Sequence, residues 1–421
     1  MDNIKASLIT IGDELLIGQV IDTNSAWMAQ QLNAIGIAVD RRVAVGDNKG
    51  IIWNALGDEL TWADVVLITG GLGPTADDIT KPLLCEYFGG KLVIDQAVLQ
   101  HVEAIFARLN RPMIDRNRKQ AEVPDVCTVL HNERGTAPGM LFEKDGKLVI
   151  SMPGVPHEMK GIMTDHVLPL LQNRFQLPCI VHRTLLTAGV GESFLADHIQ
   201  AWEEALPAHI KLAYLPNYGM VRLRLTATGM EAHTVAAEVD AQFSALAALV
   251  APFLVTTADE SMAAVVLRLL QQQQATMSTA ESCTGGYIAH LLTSLPGSSQ
   301  GYWGSVVSYH NQVKENLLGV NPHDLEADGA VSETVVRQMV AGALSQLKTH
   351  YAVAVSGIMG PNGGSPLKPV GTVWVAVASA TQVVTENFHF RFDRTRNIEL
   401  TATFALNMLR KLILSQGGAT P

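Results

Sequence analysis

Two short apolar runs, "KASLITIG" (Lys5–Gly12) and "ADVVLITGG" (Ala63–Gly71), constrain the fold of this chain more than any other feature. Each has the length of a strand and stops at glycine. A strand that is apolar on both faces must be covered on both, as in a parallel sheet with helices above and below. Between the two runs, "NSAWMAQQLNAIG" (Asn24–Gly36) has helical apolar spacing and a glycine stop signal. The alternation resumes with a strand at "GKLVISMPG" (Gly146–Gly154) and a helix over Pro156–Leu171. The chain therefore opens with a doubly wound α/β domain, whose sites are expected at the carboxyl ends of its strands.

At 421 residues the chain exceeds one ordinary core. The pattern changes near Gln172–Cys179. There follows a small α+β module, whose strand "MVRLRLTA" (Met220–Ala227) alternates cleanly as a one-face-buried antiparallel strand should. A second α/β region opens with "SMAAVVLRLLQQQQ" and "ATMSTAES". The expected domains are 1–172, 173–255 and 256–421. Net charge is -10, from 30 basic and 40 acidic residues, which does not support bulk attraction to nucleic acid. The first residues lack a basic segment followed by an apolar one, and no apolar run is long enough to span a bilayer. The 4 cysteines, Cys85, Cys127, Cys179 and Cys283, form no CxxC pair. A reducing cytoplasm is the expected location, with no membrane partner.

Two constellations carry chemistry. In the first, "GGLGPTADDIT" (Gly70–Thr80) follows a buried strand. Gly70, Gly71 and Gly73 let backbone amides approach a phosphate, with Thr75 beside them. Asp77 and Asp78 bring carboxylates to the same place, as a bridging divalent cation would require. Glu14, after the first strand, and Glu158, after "ISMPGVP", are further candidate ligands. Helix capping by Asp77 or Asp78, and a plain first-turn position for Glu158, remain open alternatives. Neither GK[ST] nor GxGxxG is present.

The second constellation centres on "AESCTGG" (Ala280–Gly286). Ser282, Cys283 and Thr284 are all nucleophile types, and the turn could also be a capped helix start. Serine needs a base, and neither His290 nor His310 has an evident acidic partner. "VVSYHNQVKENLLG" offers Tyr309 and Lys314 instead. A buried, neutral lysine can deprotonate serine, with a tyrosine hydroxyl relaying or holding the proton. Val353–Trp374 adds a Gly/Pro loop with Ser356, and "FRFDRTRN" adds Arg391, Arg394 and Arg396 as candidates for a substrate phosphate.

The segments "TIGDELLIGQVIDTNS", "GGLGPTADDIT", "GTAPGM", "MPGVPHEM", "AYLPNYGMVRLRL", "AESCTGG" and "AVSGIMGPNGGSPLKPVGTVW" occur in this order. In that order the chain closely resembles the CinA (competence/damage-inducible protein A) family over essentially its whole length. The resemblance implies a MoaB/MogA-like amino-terminal domain that hydrolyses ADP-ribose to AMP and ribose 5-phosphate. A divalent cation (Mg, Mn or Co) held among Glu14, Asp77, Asp78 and Glu158 would serve that step. It implies a KH-type middle module, although "TAGVGESF" lacks the GxxG loop that grips nucleic acid, so no direct nucleic-acid contact is expected. For the carboxyl-terminal domain it implies an α/β amidohydrolase that needs no cofactor. This domain would convert nicotinamide mononucleotide (NMN) to nicotinic acid mononucleotide and ammonia. Ser282 would be the nucleophile, activated by Tyr309 and Lys314. Amides near Thr284, Gly285 and Gly286 would hold the oxyanion, and Ser356, Gly357, Gly364 and Arg394 would bind substrate. His310 and Gln312 depart from the family's usual "YSNEAK". The family also suggests a homodimer. Competing expectations are a molybdopterin-handling protein and a non-enzymatic partner of DNA uptake.

Overall fold

The structure, a computed structural model, describes residues 4–75 and 78–417. The chain divides into two units, residues 1–181 with 227–236 and residues 182–226 with 237–421.

The first unit contains β1 (Lys5–Ile11), β2 (Ala38–Val45), β3 (Val65–Thr69), a short pair β4 (Leu92–Ile94) and β5 (Glu122–Pro124), then β6 (Thr128–Leu130), β7 (Gly139–Lys144) and β8 (Lys147–Met152). The main sheet is 6-stranded, in the order β2-β1-β3-β8-β7-β6. β2, β1, β3 and β8 run parallel, and β7 and β6 extend the sheet antiparallel. Successive side chains explain why the opening strand is buried on both faces. Ala6 and Leu8 join Met28, Leu32, Val65 and Leu67 in one core. Ile9 and Ile11 point the other way, to Ile52, Leu56, Val66 and Ile68. Helices Thr23–Ala34 and Lys49–Trp62 supply the covering residues of the two faces. The expected doubly wound layering is therefore present.

The helix expected over Pro156–Leu171 is interrupted. It runs Pro156–Ile162, widens to a π-helical turn at Met163–Val167, and continues over Leu168–Arg174. Pro169 lacks an N–H and its ring crowds the preceding turn, which accounts for the widening just before it.

The second unit holds most of a 4-stranded sheet, ordered β10-β11-β9-β12, from β9 (Cys179–Ala188), β10 (Ile210–Asn217), β11 (Met220–Gly229) and β12 (Leu254–Thr256). On β11, Val221, Leu223, Leu225 and Ala227 are buried and alternate with more exposed residues, as the sequence pattern predicts. Helices Glu192–Glu204 and Ala232–Leu249 complete this module.

The rest of the unit is a 5-stranded sheet, ordered β14-β13-β15-β16-β17. Its strands are β13 (Met277–Glu281), β14 (Tyr302–Val307), β15 (Tyr351–Gly357), β16 (Thr372–Ser379) and β17 (Val383–His389). β14, β13 and β15 are parallel, and β16 and β17 antiparallel. The alternating Val and Ala of "YAVAVSG" and "TVWVAVAS" sort by face. Val353, Val355, Val373 and Val375 pack with residues of helices Met262–Gln272 and Arg394–Gly417. Ala352, Ala354, Ala376 and Ala378 let helix Glu333–Leu347 approach closely through Val336, Met339 and Val340. Among the described residues no helix is long and apolar enough to cross a membrane.

Candidate active sites

β13 lies between two parallel neighbours, so its carboxyl end opens at the middle of the sheet edge. The Ser282 amide donates to the Val355 carbonyl at 3.0 Å and carries the strand one residue further. Gly285 and Gly286 then take φ of +62° and +98°, left-handed values that a side chain resists. The chain folds back on itself and enters helix Tyr287–Thr293, which has no capping side chain at its first residue.

Glu281 supplies the missing cap from the end of the strand. Its carboxylate is fully buried. One oxygen accepts from Thr284 Oγ1 at 2.7 Å and from the amides of Gly286 at 3.1 Å and Ile288 at 3.0 Å. The other accepts from the Ala289 amide at 2.8 Å and Thr279 Oγ1 at 3.1 Å. The Gly285 amide is engaged too, donating to the Ser282 carbonyl at 3.2 Å. Of the amides expected to hold the oxyanion, those of Gly285 and Gly286 are committed inside the turn, as is the Thr284 hydroxyl. The amides of Cys283 and Thr284 lie beside the Cys283 sulfur.

Lys314 projects from helix Asn311–Leu318 and is 1% exposed. Its Nζ donates to Ser282 Oγ at 3.1 Å, to the Ser308 carbonyl at 2.7 Å and to the Tyr309 carbonyl at 3.4 Å. Among the described residues no carboxylate pairs with it, and burial pulls its pKa below the ordinary lysine value. An amine that releases its proton more readily than an ordinary lysine, in hydrogen-bond reach of a serine hydroxyl, is placed as a general base beside a nucleophile. Cys283 is a poor rival. It faces the hydrophobic core, and burial pushes its thiol up to about 12.

Among the described residues the Tyr309 phenol makes no hydrogen bond to Ser282 or Lys314. Ser308 is fully buried, and the next residue turns outward, as alternation along an extended chain requires. The Tyr309 phenol is exposed and accepts from Arg394 Nη2 at 3.1 Å, while Arg394 Nη1 donates to the Gly360 carbonyl at 2.8 Å. Lys314 reaches Tyr309 through the main-chain carbonyl. Ser356 is likewise turned away from a ligand: it is buried and its hydroxyl donates to the Ala330 carbonyl at 2.7 Å. Gly357 packs so closely that a Cβ would lie 2.8 Å from Val373 Cγ2, and Gly364 is exposed in its loop.

In the first unit, the loops after β1, β2, β3 and β8 line one cavity of about 370 Å³. Its wall includes Gly12, Glu14, Asp47, Gly70, Gly71, Gly73, Asp78, Gly154 and Glu158. A Cβ on Gly70 would sit 2.2 Å from the Ile11 carbonyl oxygen, and one on Gly71 2.2 Å from Thr80 Oγ1, so the loop threads where only glycine fits. Asp78 faces inward to the same loop. It accepts from the Gly73 amide at 2.7 Å, the Thr75 amide at 2.8 Å and Thr75 Oγ1 at 2.5 Å. Asp78 and Thr75 therefore shape the loop, and Asp77 lies outside the described residues. Glu158 accepts from Asn132 Nδ2 at 2.7 Å, and burial raises its carboxyl above the usual range. Among the described residues no group of three acidic, histidine or cysteine side chains gathers as a metal cluster.

The sequence reading missed Glu281, Asp47 and Gln120. Glu281 could have been found from the helix start without Ser, Thr, Asp or Asn at its cap. Asp47 lies in "VGDN", after a strand, as Asp13 does in "IGDE"; the two carboxylates accept from each other's amides, at 3.2 and 3.1 Å. No sequence signal marks Gln120.

Residues 7–173 match the probable molybdopterin binding domain, 182–253 the damage-inducible protein CinA KH domain, and 259–413 the CinA C-terminal domain. A CinA-like protein of Cytophaga hutchinsonii is 45% identical over 97% of this chain and 98% of its own. One from Flavobacterium psychrophilum is 44% identical over 97% and 99%. The crystal structure of the competence/damage inducible protein CihA from Agrobacterium tumefaciens is 39% identical, covering 36% of this chain and 93% of that one, with a TM-score of 0.36. With relatives 45% and 44% identical over nearly the whole of both chains, the chain belongs to the CinA family.

Proposed function

We propose that the carboxyl-terminal domain is an amidohydrolase acting on NMN, with Ser282 as nucleophile and Lys314 as its base. The observation that carries this reading is the buried Lys314 amine 3.1 Å from Ser282 Oγ, without a carboxylate to hold it charged. Neutral Lys314 takes the hydroxyl proton as Ser282 attacks the carboxamide carbon. In this reading the amides of Cys283 and Thr284 stabilise the tetrahedral oxyanion. Lys314 then returns the proton to the departing nitrogen, and ammonia leaves. Water, deprotonated by the same amine, releases nicotinic acid mononucleotide from Ser282. Arg394, held by Gly360 and Tyr309, meets the phosphate, which gives Tyr309 a part in substrate placement.

The amino-terminal domain hydrolyses ADP-ribose in this reading, supported by the glycine-walled cavity with Glu14 and Glu158 at one strand edge. Two carboxylates with substrate phosphates suit a magnesium-like ion, which keeps several waters. Glu14 and Glu158 would hold that ion, and it would polarise a phosphoryl oxygen. The amides of Gly70 and Gly73 are taken by the Met152 carbonyl and Asp78, so in this reading these two glycines let the chain pass close to the pyrophosphate and the Gly71 amide meets it.

The test is ammonia release from NMN by the full chain, with and without chelator, beside Ser282→Ala. Activity that survives chelator and falls at least about 10³-fold in the variant is expected. A wild type that releases no ammonia rejects the amidohydrolase.

A further inference from the structure

The loop of residues 132–137, which leads into the segment "GTAPGM", folds around the carboxylate of Glu158. Asn132 is 3% exposed and uses every polar group of its side chain. Its Nδ2 donates to the Ala137 carbonyl at 2.8 Å and to Glu158 Oε2 at 2.7 Å, while Oδ1 accepts from the Arg134 amide at 3.0 Å. With both N–H groups and the oxygen engaged, the carboxamide has one orientation. Gly135 adds a second restraint. A Cβ there would lie 2.1 Å from Glu158 Cδ and Oε2, so the chain passes the carboxylate where only glycine fits.

Glu158 lines the amino-terminal cavity and is half-buried. Its Oε1 makes no hydrogen bond among the described residues and is not sealed from solvent, so this oxygen is the one offered to the cavity. The carboxylate therefore meets the cavity through one oxygen, with the other tied back into the protein.

We infer that Asn132 is a positioning residue that sets the cation preference of this cavity, by holding Glu158 to one-oxygen coordination. Magnesium is small and demands near-octahedral geometry, which a single fixed carboxylate oxygen suits. Calcium takes more oxygens in looser geometry and readily accepts both oxygens of one carboxylate. A hydrogen bond to the outer oxygen also fixes the rotation of the ligating one, as partners behind metal ligands do generally. Asn132 acts through Glu158 and need not touch the ion. This rests on the reading of Glu14 and Glu158 as the ion's ligands, but not on ADP-ribose as the substrate.

The experiment is titration of the full chain with manganese, followed by electron paramagnetic resonance and competed with magnesium or calcium, without nucleotide. Wild type is compared with Asn132→Leu, which keeps the bulk and loses the amide, and with the smaller Asn132→Ser, which withdraws the donor from Glu158. Thermal unfolding checks that each variant is folded. In both, magnesium affinity is expected to fall about tenfold or more while calcium affinity stays within about threefold. Equal weakening of both ions marks a merely structural role and overturns the inference, as does a wild type that binds no ion. Gly135→Ala, which pushes the carboxylate aside and leaves the Asn132 amide in place, is expected to weaken both ions alike. A shift of preference there as large as in the Asn132 variants overturns the assignment to Asn132. If the ions behave as expected and ADP-ribose is not hydrolysed, the substrate reading falls and the positioning role stands. If wild type hydrolyses ADP-ribose with magnesium and the preference does not move in the Asn132 variants, the substrate reading stands and this inference falls.

Discussion

An ammonium group 1% exposed, whose hydrogen-bond partners among the described residues are Ser282 Oγ and two carbonyls, is poorly solvated as a cation. Its unfolded-state pKa is about 10.4, and burial lowers the folded value. Between those two values the unfolded chain binds more protons, so stability rises with pH across that window. Below the folded value the penalty is fully present; above the unfolded value it is gone. Lys314→Met should therefore unfold at a higher temperature than wild type, by a margin largest at low pH and shrinking as pH climbs. The same change should remove ammonia release, while wild-type kcat/KM rises with pH as the amine loses its proton. Thermal unfolding of both proteins over roughly pH 6 to 10 checks the first part. A margin that does not change with pH contradicts it. This site was half legible. The residue types of Ser282 and Lys314 and their place after buried strands stood in the sequence. The alternation of Val307, Ser308 and Tyr309 turns the Tyr309 phenol outward, which a reading centred on its hydroxyl chemistry passed over.

At the scale of elements, both units use one device: a buried parallel strand, two consecutive glycines with positive φ, and a carboxylate that collects the loop's donors. After β3 the glycines are Gly70 and Gly71 and the carboxylate is Asp78; after β13 they are Gly285 and Gly286 and it is Glu281. The strands and glycines were legible, because apolar runs stopping at glycine have few other uses. The carboxylates were not legible as loop-shaping groups, because an acid that satisfies backbone amides and one that binds a metal look alike in one dimension. Glu281→Ala would strand the amides of Gly286, Ile288 and Ala289 and two threonine hydroxyls, at a cost of about 3 kcal/mol or more. Chemical unfolding of the full chain, followed by a probe in the carboxyl-terminal domain, measures this. A loss below about 1 kcal/mol would show that the turn holds itself.

For the whole molecule, each site is complete within one unit. The cavity residues named above all fall within Met1–Val181, and Ser282, Lys314, Tyr309 and Arg394 all fall within Ala237–Pro421. No residue is shared, so a substitution that ends one reaction has no structural route into the other through a common side chain. Ser282→Ala should abolish ammonia release from NMN and leave ADP-ribose hydrolysis within about twofold of wild type. Asp78→Ala should do the reverse, because it releases the Gly73 and Thr75 amides and lets the phosphate-facing loop lose its shape. Excess magnesium should not rescue Asp78→Ala, since Asp78 shapes the loop and does not compete for the ion. Rescue by magnesium would return Asp78 to the metal shell. A cross-effect well above twofold would mean that the two chemistries are coupled through the chain, so that the sites must be treated as one machine.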